Sequence, residues 1–288
     1  MPPSPAAAPS DTTPGKRFLQ FPLTRIVLAT FVTALSVGLA VSLASAVAGE
    51  AERSMWPQLL GAGAALASYA LYVRLVEKRP VSELSPTGAW RELGIGLLLG
   101  ALLVVVVIGV LAGLGAYEVV GSNGWSMKLL NPLAEMTLVG VLEELLCRGI
   151  LFRITEKALG SWIALGISAV LFGVAHLPGA GAGMLAIGIA VVAGVFFATA
   201  FMVTRRLWLC IGIHVAWNYT LGTIFSVAVS GHESTGLLQG SLTGPDWLVG
   251  GRCGLEASVL TLLVLVVTGA CFLWRAWAKG HFVALSSP

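Results

Sequence analysis

The sequence predicts an all-α fold, a polytopic membrane helix bundle with about eight transmembrane helices. Of its 288 residues, 57% are hydrophobic and only 11% are charged. An average soluble domain has about 25% charged and roughly 45–50% apolar residues. So few charges cannot cover a water-facing surface, which argues against a soluble globular enzyme. The same figures exclude a disordered chain, and the apolar residues fall into runs close to the ~20 residues that cross a bilayer.

Eight apolar segments account for the predicted helices. They cover residues 26–48, 56–76, 93–117, 131–153, 161–177, 183–203, 207–229 and 255–276. The first is too long for the apolar region of a cleaved signal peptide, so we expect a retained span. The fifth is short and ends at Pro178. Three interpretations of it stay open: a full span, a tilted span, or a helix that stops inside the membrane.

The distribution of Lys and Arg predicts the orientation. With a cytoplasmic N-terminus, 13 of them fall in inside segments and 3 in outside segments, and Arg148 lies within a span. By the positive-inside rule we expect a multi-pass cell-membrane protein with both termini cytoplasmic. The net charge of +3 is too small to indicate a nucleic-acid partner. No C-x-x-C cluster is present, so the four cysteines are expected to be free thiols.

The fourth apolar segment contains the stretch LEELLCRG, which places three charged residues, Glu143, Glu144 and Arg148, at depth. A charge at a helix centre costs on the order of 2.5–3.5 kcal/mol on insertion scales, so this cluster needs a compensating reason. Glu144 and Arg148 are four residues apart, about 40° around a helix, and can pair on one face. Glu143 points about 100° away from Glu144 and is expected to face a different neighbour. The alternative is a buried ion-pair cluster that only locks helix packing.

Two further segments carry polar residues at depth. FGVAH ends the fifth segment and places Phe172 one turn before His176, where its ring can pack over the imidazole. HVAWN in the seventh places His214 and Asn218 on one helix face. Each feature alone has an ordinary explanation, a polar helix end in the first case and interhelical hydrogen bonding in the second.

Together these groups suggest a site for chemistry inside the bilayer. A carboxylate and an imidazole can take a proton from water, and an imidazole with an amide can stabilise an oxyanion. The same set can bind a divalent metal. A serine or aspartyl route is less favoured, because no G-x-S-x-G elbow is present and Asp11 and Asp246, the only Asp residues, lie outside the apolar segments.

The motifs EELLCR, FGVAH and HVAWN, spread over about residues 131–229, resemble the E-E-x-x-x-R, F-x-x-x-H and H-x-x-x-N motifs of the CPBP family. This is the CAAX prenyl endopeptidase and bacteriocin-processing group of intramembrane proteases. The resemblance implies an eight-span bundle with Glu143 as the catalytic carboxylate and His176 as its partner in activating water. It implies His214 with Asn218 as the oxyanion-binding or metal-binding pair.

The resemblance also implies that three residues support those four: Glu144 and Arg148, which act as a pair, and Phe172. It leaves open whether the mechanism uses a metal. If a divalent ion such as zinc is bound, its ligands are expected to come from His176, His214, Asn218 and Glu143. Nothing in the sequence implies a prenylated substrate.

We therefore expect an intramembrane endopeptidase that hydrolyses a peptide bond of a membrane-associated peptide or protein by glutamate and histidine activation of water. Two alternatives stay open: a transporter that uses the polar cluster for ion passage, and a scaffold in which the cluster only fixes helix packing. The sequence does not specify the oligomeric state.

Five regions follow from this interpretation. They are a disordered cytoplasmic tail at 1–17, N-terminal transmembrane helices at 18–120, a catalytic CPBP-type core at 121–230, an extracytoplasmic loop at 231–254, and the last transmembrane helix with a short cytoplasmic tail at 255–288.

Overall fold

The computed structural model describes residues 19–49, 55–179, 181 and 183–285. It is an all-α membrane helix bundle, as predicted from composition. The helices are α1 Pro22–Val47, α2 Trp56–Tyr72, α3 Ala89–Gly113, α4 Leu130–Glu144, α5 Arg153–Ala175, α6 Met184–Thr204, α7 Trp208–Tyr219, α8 Asp246–Val249 and α9 Val259–Ala278. The predicted tail at 1–17 lies outside the described residues.

Three helices continue into wider π-helical turns, and several short elements join the helices. The π-helical turns are Val73–Glu77 after α2, Leu145–Phe152 after α4 and Thr220–Ile224 after α7. Short 3₁₀ turns lie at Ser82–Leu84, Met127–Leu129, Gly251–Cys253 and Leu255–Ala257. Strands β1 Tyr117–Ser122 and β2 Leu238–Leu242 pair in antiparallel fashion. The predicted loop at 231–254 therefore contains a strand and the short helix α8.

In the described part of the chain, six helices are long and apolar enough to cross a membrane, so the expected eight was approximate. One of the six is the 49-residue run Met127–Ala175, which includes the predicted fourth and fifth segments. Gly160 breaks this run, because its φ of 79° and ψ of 165° are not helical. The predicted seventh segment is α7, only 12 residues long before its π-helical turn, and is too short to count as a span.

Glycines allow α3 and α7 to cross in close contact. A Cβ atom at Gly100 would lie 2.3 Å from the Ile213 carbonyl oxygen, and one at Gly96 would lie 2.4 Å from the Leu209 carbonyl oxygen. Gly96 and Gly100 form a G-x-x-x-G pair, the spacing that lets membrane helices approach backbone to backbone. This crossing sets the position of α7, the helix that carries two candidate site residues.

The two ends of the bundle differ in charge. At one end, here called the arginine end, Arg25 and Arg153 both pair with Glu77, at 2.6 and 2.8 Å, and Arg205 pairs with Glu156 at 2.5 Å. The other end, here called the sheet end, carries β1 and β2, which follow α3 and precede α9. Most of the ion pairs among the described residues therefore lie at the end opposite the sheet.

We predict that Gly100→Ala lowers the thermal unfolding temperature of the detergent-solubilised protein. The added methyl group meets the backbone of α7, and overpacking of this kind costs about 1–3 kcal/mol. The matched control is Gly94→Ala on the same helix, where an added Cβ has no neighbour within 4 Å. Equal unfolding temperatures for the two variants would show that the crossing is looser than described.

Candidate active site

The adjacent carboxylates Glu143 and Glu144 have different environments. Glu144 is fully buried and accepts a hydrogen bond from Arg148 Nη1 at 3.0 Å, which is the pair predicted from helix spacing. Arg148 is equally buried, and its Nη2 donates to the Gly194 carbonyl on α6 at 3.1 Å. The side chain of Glu143 is 34% exposed. Arg148 thus neutralises Glu144, and Glu143 faces a different neighbour, as expected.

The wide turn at Leu145–Phe152 follows directly on these carboxylates. The Gly149 carbonyl in this turn accepts hydrogen bonds from the Tyr69 hydroxyl at 3.0 Å and from Arg153 Nε at 2.7 Å. π-helical turns leave carbonyls without regular helical partners and occur often at functional sites. Two side chains from outside the turn therefore satisfy this carbonyl and hold the segment that carries Arg148.

His214 on α7 lies between the two carboxylates. Its Nδ1 is 2.9 Å from Glu144 Oε1 and its Nε2 is 3.9 Å from Glu143 Oε2. A carboxylate only accepts, so the hydrogen-bond network assigns the proton to Nδ1. The Phe197 ring stacks on the imidazole with centroids 4.9 Å apart. These contacts fix the ring and direct Nε2 toward Glu143.

His176 at the end of α5 is held by the residue one turn earlier. Its Nδ1–H donates to the Phe172 carbonyl at 2.8 Å, which leaves Nε2 as the available ring nitrogen. The Phe172 ring packs against the imidazole with centroids 4.6 Å apart, as the four-residue spacing predicted. Phe172 therefore orients His176 through its carbonyl and its ring.

One cavity brings the four candidate residues together. It has a volume of about 560 Å³, and Glu143, His176, His214 and Asn218 all line it. Its other walls come from the earlier turns of α4, the first two thirds of α6, the start of α9, and the connections after α5 and α7. Those connecting residues lie at the sheet end, and they include Gly179, Val229, Ser230, His232, Glu233, Ser234, Thr235, Cys253 and Glu256. The cavity therefore extends from the helices toward the sheet end.

Sequence reasoning missed Phe197, Trp217 and Glu256, which support this arrangement. Arg148 Cζ lies 4.6 Å from the Phe172 ring centroid and 5.0 Å from that of Phe197, so the guanidinium contacts two aromatic faces. Trp217 Nε1 donates to Glu256 Oε1 at 3.3 Å, which ties α7 to the segment before α9. The sequence did not indicate a role for Phe197, because it lies in a uniformly apolar run in which no residue stands out by its chemistry.

The metal-ligand set expected from the resemblance stays a prediction. Among the described residues, no three His, Cys, Asp or Glu side chains come together closely enough to hold a metal ion. The Nδ1 atoms of His176 and His214 are both engaged in hydrogen bonds, which leaves one nitrogen from each ring. In this arrangement the donors do not fit a metal centre, so we derive no step through one.

Comparison with known proteins supports the motif assignment. Residues 124–220 match the family model described as Rce1-like, type II CAAX prenyl endopeptidase. This match supports the CAAX-type (CPBP) protease family for the segment that carries the motifs. The segment contains every residue of the three motifs, and the wider chain is a multi-pass membrane protein. No curated protein and no solved structure gives a significant match to the chain.

We predict that Arg148→Gln strongly destabilises the protein. Removing the guanidinium leaves Glu144 buried with an unbalanced charge, and breaking a buried pair in this way costs about 3–5 kcal/mol. The measurement is thermal unfolding in detergent, with Arg275→Gln as the control, since Arg275 is exposed on α9. Equal stability of the two variants would show that Arg148 is not needed to compensate the Glu144 charge.

Proposed function

We propose that the protein is an intramembrane endopeptidase that hydrolyses a peptide bond of a membrane-associated substrate. One observation carries the proposal. Of two adjacent carboxylates, Glu144 is bound to Arg148, while Glu143 faces a cavity with two imidazoles and an amide. A site that only locked helix packing would have no use for the second carboxylate. The family match supports a protease over the transporter and scaffold alternatives.

We assign the activation of water to Glu143 and His176. A water molecule donates one hydrogen bond to the Glu143 carboxylate and the other to His176 Nε2, the nitrogen left available by the Phe172 contact. Glu143 takes the proton as the water oxygen attacks the substrate carbonyl carbon. The carbonyl π electrons move onto the oxygen. Collapse of the tetrahedral intermediate breaks the C–N bond, and the proton held by Glu143 passes to the leaving amine.

We assign stabilisation of the oxyanion that forms during this attack to His214 and Asn218. The Asn218 amide donates an N–H, and the doubly protonated form of His214 donates from Nε2 while Glu144 accepts from Nδ1. Donors held in place before the reaction need no reorganisation, and each is worth roughly 2.7–4 kcal/mol in comparable sites. In this route Glu144 and Arg148 act through the orientation of His214 and do not touch the substrate.

We predict that Glu143→Gln lowers the rate of peptide cleavage about 10²- to 10⁴-fold, the usual contribution of a general base. Its stability should change little, because Glu143 is partly exposed and its pair with His214 Nε2, at 3.9 Å, is longer than a hydrogen bond. The assay uses purified protein and a broad peptide set. The matched control is Glu118→Gln, an exposed glutamate on β1 that does not line the cavity.

A Glu143→Gln variant that cleaves within twofold of the wild-type rate would rule out the assigned role. The same assay with a chelator separates the two forms of the mechanism. The glutamate–histidine route predicts an unchanged rate. Loss of activity with chelator and recovery with added zinc would instead assign a metal to the His176, His214, Asn218 and Glu143 side chains.

We further propose that the arginine end faces the cytoplasm, with both termini on that side. The count of 13 inside against 3 outside Lys and Arg residues supports this orientation. The cavity extends toward the sheet end, so it would open on the extracytoplasmic side. The substrate would then reach the cavity from that side or from within the bilayer.

Cys253 provides a native probe of this orientation. It lines the cavity, is partly exposed, and lies outside the membrane-spanning helices. We predict that a membrane-impermeant maleimide labels it in intact cells. Burial, and secondarily the Glu256 carboxylate, raise the pKa of the Cys253 thiol. Because the thiolate is the reactive form, the labelling rate should continue to rise with pH above the range in which an ordinary thiol is already ionised.

Cys253→Ser should abolish that labelling. In the same background, Lys157→Cys at the arginine end should react only after permeabilisation, since Lys157 is exposed there. The reverse pattern, with Cys253 reacting only in permeabilised cells, would contradict the orientation.

A further inference from the structure

We infer that the cavity accepts a cationic polypeptide segment, with a Lys or Arg side chain close to the scissile bond and no free carboxylate nearby. The cleavage part of this inference rests on the proposed function, whereas the binding part does not. The observation is the charge of the cavity wall. Four of its lining residues are glutamates, namely Glu135, Glu143, Glu233 and Glu256.

No Lys or Arg side chain belongs to the described lining of this cavity. Within the described chain, no ion pair reaches Glu135 or Glu233, and both are exposed. Glu256 accepts hydrogen bonds from Trp217 and from Ser230, which are neutral donors and leave its charge uncompensated. The wall is thus acidic, in contrast to the arginine end, where the carboxylates are paired.

The apolar part of the wall strengthens this charge. Ile189, Phe196, Phe197 and Leu265 line the same space, and low-dielectric walls focus the field of charges of one sign. A lysine or arginine on the substrate gains an attractive partner here. A carboxylate, including the C-terminal one of a substrate cut near its end, would enter among like charges and find no Lys or Arg side chain in the described wall, whose basic groups are the imidazoles of His176, His214 and His232.

Spacing on α4 locates the cationic residue relative to the bond that is cut. Glu135 precedes Glu143 by eight residues, a rise of about 12 Å along the helix. An extended peptide advances roughly 3.3 Å per residue, so 12 Å corresponds to three or four residues. We therefore place the cationic side chain three or four residues from the scissile bond, on the side nearer the sheet end.

The test compares three amidated, fluorescent peptides that differ only at that position, with Lys, Gln or Glu, in an otherwise apolar sequence. A fourth peptide carries the Gln sequence with a free C-terminal carboxylate close to the bond. Binding is measured on the Glu143→Gln protein in detergent at low salt, so that no peptide is cut.

We expect the Lys peptide to bind about three- to tenfold more tightly than the Gln peptide, as one or two partly exposed charge pairs would give. The Glu and free-carboxylate peptides should bind more weakly than the Gln peptide, and the differences should shrink as salt rises.

Charge reversal at the cavity wall gives a result that a structural effect cannot mimic. With Glu135→Lys and Glu233→Lys added to that protein, the Glu peptide should bind more tightly than the Lys peptide. Glu118→Lys is the matched control, on the same end but outside the cavity, and should leave the order unchanged. If the double reversal unfolds, the Glu135→Gln and Glu233→Gln pair should still reduce the preference for Lys. Equal binding of the Lys and Glu peptides to the Glu143→Gln protein would overturn the inference.

Cleavage of the same peptides by the wild-type protein separates this inference from the proposed function. If Lys-selective binding is found and no peptide is cut, the hydrolysis proposal fails and the binding inference stands. If all peptides are cut at equal efficiency and bind equally, the inference fails and the hydrolysis proposal stands.

Discussion

The buried Glu144 carboxylate is the constraint on which the half of the molecule around the candidate site depends. A buried charge is costly unless it is paired and hydrogen-bonded. Two partners bind its Oε1 atom, Arg148 from the following turn and His214 from α7, while the buried Oε2 atom has no hydrogen-bond partner among the described residues. Arg148 in turn bonds the Gly194 carbonyl on α6. Pairing this one carboxylate oxygen therefore joins α4, α6 and α7 and also orients the imidazole that faces the cavity.

The same requirement explains why the two ends of the bundle differ. At the arginine end, buried and partly buried carboxylates are matched by guanidinium groups, as where Arg25 and Arg153 share Glu77. Arg153 also reaches the Gly149 carbonyl, so this network supports the wide turn next to the site. Toward the sheet end, the glutamates that line the cavity have no such partners. The paired charges hold elements of the fold together, and the unpaired ones are the basis of the proposed preference for a cationic segment.

Close helix contact is the second requirement of the site. Nε2 of His214 can approach Glu143 only if α7 lies near α4, and small residues allow that approach. A Cβ at Gly140 would lie 2.9 Å from a side-chain carbon of Val215. On the opposite side of α7, Gly100 of α3 allows the same close approach, to the backbone of Ile213. The short α7 is thus packed closely between α3 and α4, and this packing fixes the position of His214.

Local features could be predicted from the sequence by itself. Apolar runs predicted the membrane helices, because length and hydropathy belong to each segment, and helix spacing predicted the Glu144–Arg148 pair and the contact between Phe172 and His176. The tertiary structure alone decided the features that join distant parts of the chain: the bond between His214 and Glu144, the pairing of β1 with β2, and the end at which the cavity lies. The break at Gly160 belongs with these, since the backbone at Val283–Leu285 packs against that glycine. Such contacts depend on how helices pack, and a uniformly apolar sequence carries little information about which faces meet.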